Sequence, residues 1–315
     1  MRVLFTDPLS FTDAFAEAFE RLSPSAQSFR WPSLPADGAY DLLVTWKLPD
    51  EVATLPGSLQ AVFCFGSGTD HVLRDPRIPH HLPIVRLQDS GQAVQILDYA
   101  AHATFAHLQH DTARLLDQQA GIWRPAAGAG SGRRDLRVTV LGLGPIGQTV
   151  ASGLAAMGFA VSAWSRTPRI LSNVTTHSGV NGLSAAVEKA DVLVNLLPLQ
   201  PETENILSAA LFQRMAAGAT LVNLGRGGHL HEDDLRSALD SSQLGCAWLD
   251  VYRQEPLPQS HWFWSHDRVR MTPHLAGLPT AEGAAASVAA VVAALGSGAP
   301  LPGLVRAGTT PTAKC

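Results

Sequence analysis

The sequence predicts an α/β protein of two doubly wound parallel-sheet domains, the second inserted into the first. Three observations carry this. Short apolar runs rich in β-branched residues alternate with helical patterns along nearly the whole chain, as in parallel sheets crossed over by helices. Mid-chain, Val138-Thr-Val-Leu-Gly142-Leu-Gly144-Pro-Ile-Gly147 restarts the alternation with a strand, a G-x-G-x-x-G turn and a helix. The length, 315 residues, suits two domains better than one.

In the N-terminal part, strands are expected at Val3–Phe5, Leu42–Trp46, Ala61–Phe65 and Ile84–Leu87. Asp13–Leu22 reads as an amphipathic helix that Thr12 can cap by accepting a backbone N–H. Ala93–Gln119 keeps helical periodicity without Pro or Gly and is expected as one unusually long helix. Arg124–Arg134, made of small residues and breakers, is a loop. The second run begins at Leu136, with later strands at Ala160–Trp164, Val192–Leu196, Thr220–Asn223 and Cys246–Asp250. A helix at Ala281–Leu295 precedes a Gly/Pro-rich tail. The two helices at 93–119 and 281–295 would be the crossings, placing 1–96 with 282–315 in one domain and 97–281 in the other.

Composition excludes several classes. A net charge of −4, with 46% hydrophobic and 16% charged residues, gives no reason to expect nucleic acid or an anionic membrane as partner. Cys64, Cys246 and Cys315 are far apart and read as reduced thiols of a cytoplasmic protein. No signal peptide or membrane-spanning run is expected; the alanine-rich 284–295 segment reads as a packed helix. His80-His81, His102/His107/His110 and His229-x-His231 lack H-E-x-x-H or C-x-x-C support, so no metal site is expected.

The glycine turn is the strongest local signal. Gly142 permits a tight turn, Gly144 lets the backbone approach a pyrophosphate, and Gly147 lets the helix pack close to the strand. The helix N-terminus offers N–H groups and a positive dipole end to the phosphates. An NAD site usually has Asp or Glu about 20 residues further on, holding the ribose hydroxyls. Here the next strand ends Trp164-Ser165-Arg166-Thr167, with no acid. A guanidinium and two hydroxyls suit a 2′-phosphate, which favours NADP(H). The plainer reading of Arg166 is a solvated loop arginine.

Further segments complete the pattern: Leu221-Val-Asn-Leu-Gly225-Arg226-Gly227-Gly228, Leu249-Asp250 through Glu255-Pro-Leu-Pro258, and Val269 through Pro273-His274-Leu-Ala-Gly277. With Trp164–Thr167, Asn195-Leu-Leu-Pro198, Glu202-Thr203 and Glu232-Asp-Asp-Leu235, they match in order and spacing over nearly the whole chain. The sequence thereby resembles the D-isomer-specific 2-hydroxyacid dehydrogenases, and within them a bacterial NADPH-dependent branch. The resemblance implies a Rossmann cofactor domain inserted into a flavodoxin-like substrate domain. It also implies reduction of small 2-keto acids, glyoxylate and hydroxypyruvate first, and a homodimer formed through the 93–119 region.

It also implies roles for particular residues. Reducing a 2-keto acid needs a cation for the carboxylate and a proton donor for the carbonyl oxygen. Arg226 suits the first with its fork of donors, and His274 the second, because imidazole titrates near working pH. Glu255, if hydrogen-bonded to His274, would fix its tautomer and keep it protonated. Leu143, Pro145 and Ile146 would join the three glycines around the cofactor. Leu197, Pro198 and Thr203 would line its ribose and phosphates, and Leu224, Gly225 and Arg226 would follow. Asp250 would lie near the carboxamide, beside His274 and Gly277. Gly66, Ser67 and Gly68 resemble the substrate-carboxylate loop, whose small residues suit an anion-binding turn. Trp46 reads equally as a wall of that site or as core. Trp262-Phe263-Trp264 reads as loop packing, or as the lining of a neighbouring subunit's pocket. Two other functions fit the residues: a nucleotide-sensing corepressor on the same fold, and a reductase of bulkier 2-keto acids such as phenylpyruvate.

Overall fold

A computed structural model describes residues 1–6, 12–88, 90–125 and 132–308. Most of the expected 124–134 loop, and Cys315, lie outside the described residues. In chain order the elements are β1 (Arg2–Phe5), α1 (Asp13–Leu22), β2 (Gln27–Arg30), β3 (Leu42–Thr45), β4 (Ala61–Cys64), α2 (Asp70–Arg74) and β5 (Ile84–Arg86). There follow α3 (Gln92–Leu108), α4 (Asp111–Gln119), β6 (Arg137–Leu141), α5 (Pro145–Ala156), β7 (Ala160–Ser165), β8 (Thr175–Ser178) and α6 (Gly179–Val187). Then come β9 (Val192–Asn195), α7 (Ala209–Phe212), β10 (Ala219–Asn223), α8 (Glu232–Asp240), β11 (Leu244–Leu249) and β12 (Val269–Met271). The chain ends with α9 (Ala281–Ser297) and β13 (Leu304–Arg306).

These elements form two compact units, Met1–Gly91 with Pro279–Cys315, and Gln92–Leu278. Both divisions fall just before a helix, whereas the boundaries expected at 96/97 and 281/282 fall inside α3 and α9. A helix is a cooperative unit, so a division sits at its end and not within its hydrogen-bonded turns.

The first unit has a six-stranded sheet in the order β13-β5-β4-β3-β1-β2. Strands β2-β1-β3-β4-β5 are parallel, the flavodoxin-like order. The sheet is not wholly parallel, because β13 from the Gly/Pro-rich tail pairs antiparallel with β5. Helix α1 has the expected bounds, and the Thr12 hydroxyl accepts the Phe15 N–H at 3.3 Å. It buries Phe15, Ala18 and Phe19, and the Phe5 and Phe15 rings meet edge to face at 5.4 Å. Each such phenylalanine stabilises the fold by about 1.5–3 kcal/mol relative to an exposed one. Helix α9 supplies Ala284, Ala285, Val288 and Val291 to the same core. No described helix is long and apolar enough to cross a membrane.

The second unit has seven parallel strands in the order β12-β11-β10-β9-β6-β7-β8. Counted from β6, this is the dinucleotide-binding order 3-2-1-4-5-6 with one strand added at the edge. Strand β6 lies between β7 and β9, where the winding reverses, and Val138, Val140 and Leu141 of β6 and Val192, Leu193 and Val194 of β9 are fully buried. Buried on both faces, such strands read as unbroken apolar runs, which is why the sequence located them.

The helix expected over 93–119 is two helices. His110 turns left-handed at φ 56°, after its N–H has bonded the His107 carbonyl, and α4 restarts with His110 as N-cap. The reason is burial. Helix α3 packs on α5, with Leu97 against Gly153 and Phe105 edge-on to Phe159 at 5.2 Å, whereas α4 buries no residue. The apolar positions of α3 are thus mostly covered within the unit.

Candidate active site

Every candidate group of the second unit follows the carboxyl end of a strand, the edge at which open α/β sheets bind ligands. After β6, Gly142 adopts φ +100°, and a Cβ there would lie 2.8 Å from the Leu196 carbonyl oxygen. A Cβ on Gly147 would overlap the Gly142 carbonyl oxygen, so only glycine lets α5 start this close to its strand. Gly144 differs. Nothing lies within 4 Å of where its Cβ would point, and Gly144 and Pro145 are exposed while Leu143 is buried. Pro145 occupies the first turn of α5, where its missing N–H costs nothing. With Ile146 half-buried behind it, this turn leaves room at a helix N-terminus for a pyrophosphate, so the residues present fit a dinucleotide.

Strand β7 ends at Ser165, which is buried and donates its hydroxyl to the Thr167 carbonyl at 2.7 Å. The hydroxyl expected for a nucleotide phosphate is therefore spent inside the turn, leaving Arg166 and Thr167 as the exposed members. Arg166 Nη1 donates to Gln200 Oε1 at 3.2 Å, reaching towards the loop after β9. In that loop Leu197 is buried and Pro198 exposed. Thr203 likewise turns inward: its hydroxyl donates to the Pro198 carbonyl at 2.8 Å and accepts the Gln200 N–H at 2.8 Å. It shapes the loop and does not present a hydroxyl.

After β10, Leu224 is buried and Gly225 begins the arginine turn. A Cβ on Gly225 would lie 2.9 Å from Asn195 Nδ2, and one on Gly227 would overlap the Tyr252 backbone. Between these glycines Arg226 is extended (φ −146°, ψ 150°) and half-buried, with Nη1 donating to the Gly225 carbonyl at 2.8 Å.

The loops after β11 and β12 supply the remaining groups. His274 Nδ1 lies 2.8 Å from Glu255 Oε2, and both side chains are about a third exposed, at 33% and 37%. The other Glu255 oxygen accepts the Tyr252 N–H at 2.9 Å. Burial raises the Glu255 pKa, but the His274 hydrogen bond, the Tyr252 N–H and the charges of His274 and Arg226 outweigh it, so its carboxyl stays below the ordinary glutamate value. His274 sits left-handed at φ 54°, its N–H donating to the Asp250 carbonyl at 2.8 Å. The Asp250 carboxylate is buried and accepts from the Thr272 hydroxyl (2.6 Å) and from the N–H groups of Leu275 (2.9 Å) and Ala276 (3.0 Å). Its bonds thus hold the histidine loop. Gly277 closes the loop against α3; a Cβ there would lie 2.6 Å from Ile96 Cδ1.

In the first unit, Gly66, Ser67 and Gly68 follow β4. The Trp46 ring lies so close over Gly66 that a Cβ there would overlap it. The His71 and Trp46 rings pack with their centroids 4.1 Å apart, and Cys64 Sγ donates to the Gly68 carbonyl at 3.4 Å. Trp46 thus braces the turn.

Residues 102–276 match the family described as D-isomer specific 2-hydroxyacid dehydrogenase, NAD binding domain. Over 311 residues the chain is 37% identical to glyoxylate/hydroxypyruvate reductase A of Serratia proteamaculans (strain 568), covering 97% of this chain and 98% of that protein. The chain belongs to the D-isomer-specific 2-hydroxyacid dehydrogenases. Among solved structures, an NADPH-dependent glyoxylate/hydroxypyruvate reductase from Sinorhizobium meliloti, in complex with NADP and sulfate, is 32% identical with a TM-score of 0.87. That match covers 97% of this chain and 98% of the other. A D-isomer specific 2-hydroxyacid dehydrogenase from Xanthobacter autotrophicus Py2, in complex with NADPH and MES, is 28% identical with a TM-score of 0.87, covering 96% and 97% of the two chains.

For a dehydrogenase of this family, the sequence reading left out the groups that hold the site from behind. Asn195, Asn223 and His229 are buried beneath the arginine turn, and Thr272 bridges Asp250 to the Tyr99 hydroxyl, 2.9 Å away. One signal was present: the in-register ends of β9 and β10 are both Asn, an unusual residue to end two buried strands. Trp264 was expected to pack; instead it is 58% exposed, with its indole N–H donating to the Pro258 carbonyl. Among the described residues no group of His, Cys, Asp or Glu is placed to hold a metal ion.

Proposed function

We propose that this dehydrogenase is an NADPH-dependent reductase of small 2-keto acids, glyoxylate and hydroxypyruvate first. The observation that carries the reading is the 2.8 Å His274–Glu255 pair, following the same sheet edge as the glycine turn and Arg226. NADPH, when bound, supplies the hydride. Gly142, Leu143, Gly144, Pro145, Ile146 and Gly147 would hold its pyrophosphate, with Leu197, Pro198, Leu224, Gly225 and Gly277 around the remainder. Arg226 binds the substrate carboxylate and polarises the keto oxygen. His274 protonates that oxygen from Nε2, since Nδ1 faces Glu255. The Gly66–Gly68 turn of the first unit, with its backbone N–H groups, suits an anion such as a carboxylate. NADPH oxidation with a panel of 2-keto acids tests this. Turnover of glyoxylate and hydroxypyruvate supports it, and preference for phenylpyruvate would move the substrate class. Tight NADPH binding with no turnover would replace it by the corepressor reading.

Cofactor choice follows from the end of β7, where no carboxylate stands. Arg166→Ala is expected to lower the kcat/KM preference for NADPH over NADH roughly tenfold or more, the scale of a hydrogen-bonded charge pair. Equal use of both nucleotides by the unmodified enzyme would refute the assignment.

A cytoplasmic homodimer is the assembly we assign. Cys64 and Cys246 are buried thiols in no disulfide, which suits a reducing compartment. Around α4, Leu115, Ile122 and Trp123 are 42%, 49% and 92% exposed, an apolar surface of the kind that partners cover. Sedimentation velocity at micromolar concentration should show the dimer, and a lone monomer boundary would rule it out.

A further inference from the structure

We propose that His229 is a positioning residue, a neutral imidazole whose Nδ1 holds the Arg226 turn in its substrate-binding conformation. The inference rests on the reading of Arg226 as the carboxylate ligand. His229 is completely buried, as are Asn195 and Asn223, which end the adjacent strands β9 and β10 in register with each other. Buried polar groups at this density must be mutually satisfied, and here backbone groups fix every polarity.

The Leu197 N–H donates to Asn195 Oδ1 (3.3 Å), so the Asn195 amide nitrogen must face the other way. There it donates to Asn223 Oδ1 (2.9 Å) and lies 3.0 Å from His229 Nδ1. The Gly225 N–H also donates to Asn223 Oδ1 (3.3 Å), and Asn223 Nδ2 donates to the Arg226 carbonyl (3.2 Å). The Arg226 N–H donates to His229 Nδ1 (3.1 Å). Two donors therefore converge on Nδ1, which must be an unprotonated acceptor, and the ring carries its proton on Nε2. Both backbone polar groups of Arg226 are thus held by buried side chains, one by His229 and the other by Asn223. Gly225 is required by the same packing, because a Cβ there would come within 3.0 Å of Nδ1. The sequence signal was the His229-x-His231 pair, whose buried member braces the arginine.

The test compares His229→Leu, His229→Asn and His229→Gln with the unmodified enzyme, and adds Arg226→Ala and the Arg226→Ala/His229→Leu double variant. Asn places an acceptor oxygen about where Nδ1 stands, whereas Gln carries its oxygen one bond further and Leu has none. We expect His229→Leu to raise KM for glyoxylate roughly tenfold, the scale of one lost charge-positioning bond, and His229→Asn to recover most of it. On the Arg226→Ala background His229→Leu should add nothing, because it acts only through that arginine. Unchanged KM in His229→Leu, additive effects in the double variant, or an Asn variant no better than Gln would each overturn the proposal. The Asn–Gln comparison decides if the Leu variant does not fold. If Arg226→Ala itself leaves KM and kcat unchanged, it is the underlying reading of Arg226 that fails.

Discussion

Replacing His274 by Ala lowers kcat for keto-acid reduction roughly a hundredfold or more, the usual scale for a positioned general acid. NADPH binding is expected to change little, because the glycine turn after β6 is untouched. The pH profile makes the role specific. Glu255, depressed below the ordinary glutamate value, is ionised throughout the neutral range, and the pair is lost only as pH falls through that lowered value. As a carboxylate it accepts from His274 Nδ1 and holds the ring in place, so reduction declines as pH falls through the lowered Glu255 value. Glu255→Gln removes that titrating group at nearly constant shape, and the acid-side decline should disappear. Steady-state rates across pH for the two variants check this. A His274→Ala enzyme with near-normal kcat, or a Glu255→Gln profile superimposable on that of the unmodified enzyme, would show that the pair has no part in proton delivery.

Arg226→Ala should impair both KM and kcat, in contrast to His274→Ala. The side chain is asked to do two things: hold the carboxylate, which appears in KM, and stabilise negative charge growing on the keto oxygen, which appears in kcat. A combined loss in kcat/KM of roughly a thousandfold is expected from removing a charged donor of this kind. Lys in its place recovers charge without the planar fork and should restore only part of the loss. An Arg226→Ala enzyme altered in KM alone would reduce the arginine to a binding group.

The interior of each sheet was legible because buried parallel strands are written as runs of Val, Ile and Leu, and the glycine turn because its three glycines answer to three separate steric demands. The edges were not. Strand β8, Thr-Thr-His-Ser, and the three-residue β12 and β13 have no such run, and pairing with a neighbour defines them. The break at His110 was hidden because the helical pattern continues across it; what changes there is the availability of a surface to pack on. Within the site, spacing indicated which residues follow strand ends but not where their polar atoms turn. Ser165 and Thr203 direct their side chains into their own loops, and Asp250 directs its carboxylate into the loop after β12. Those bonds depend on the fold around them, and no local pattern encodes them.

The left-handed backbone of His274 sets stability against activity at one residue. An L-residue in that region costs of order 1–2 kcal/mol that glycine would avoid. The Asp250 carbonyl and carboxylate keep the loop there regardless. Selection for thermal resistance alone would favour glycine at position 274, and an imidazole is retained only while the chemistry is under selection. In a lineage that had given up reduction but kept the fold, position 274 is therefore where loss of the activity would be least opposed by the structure.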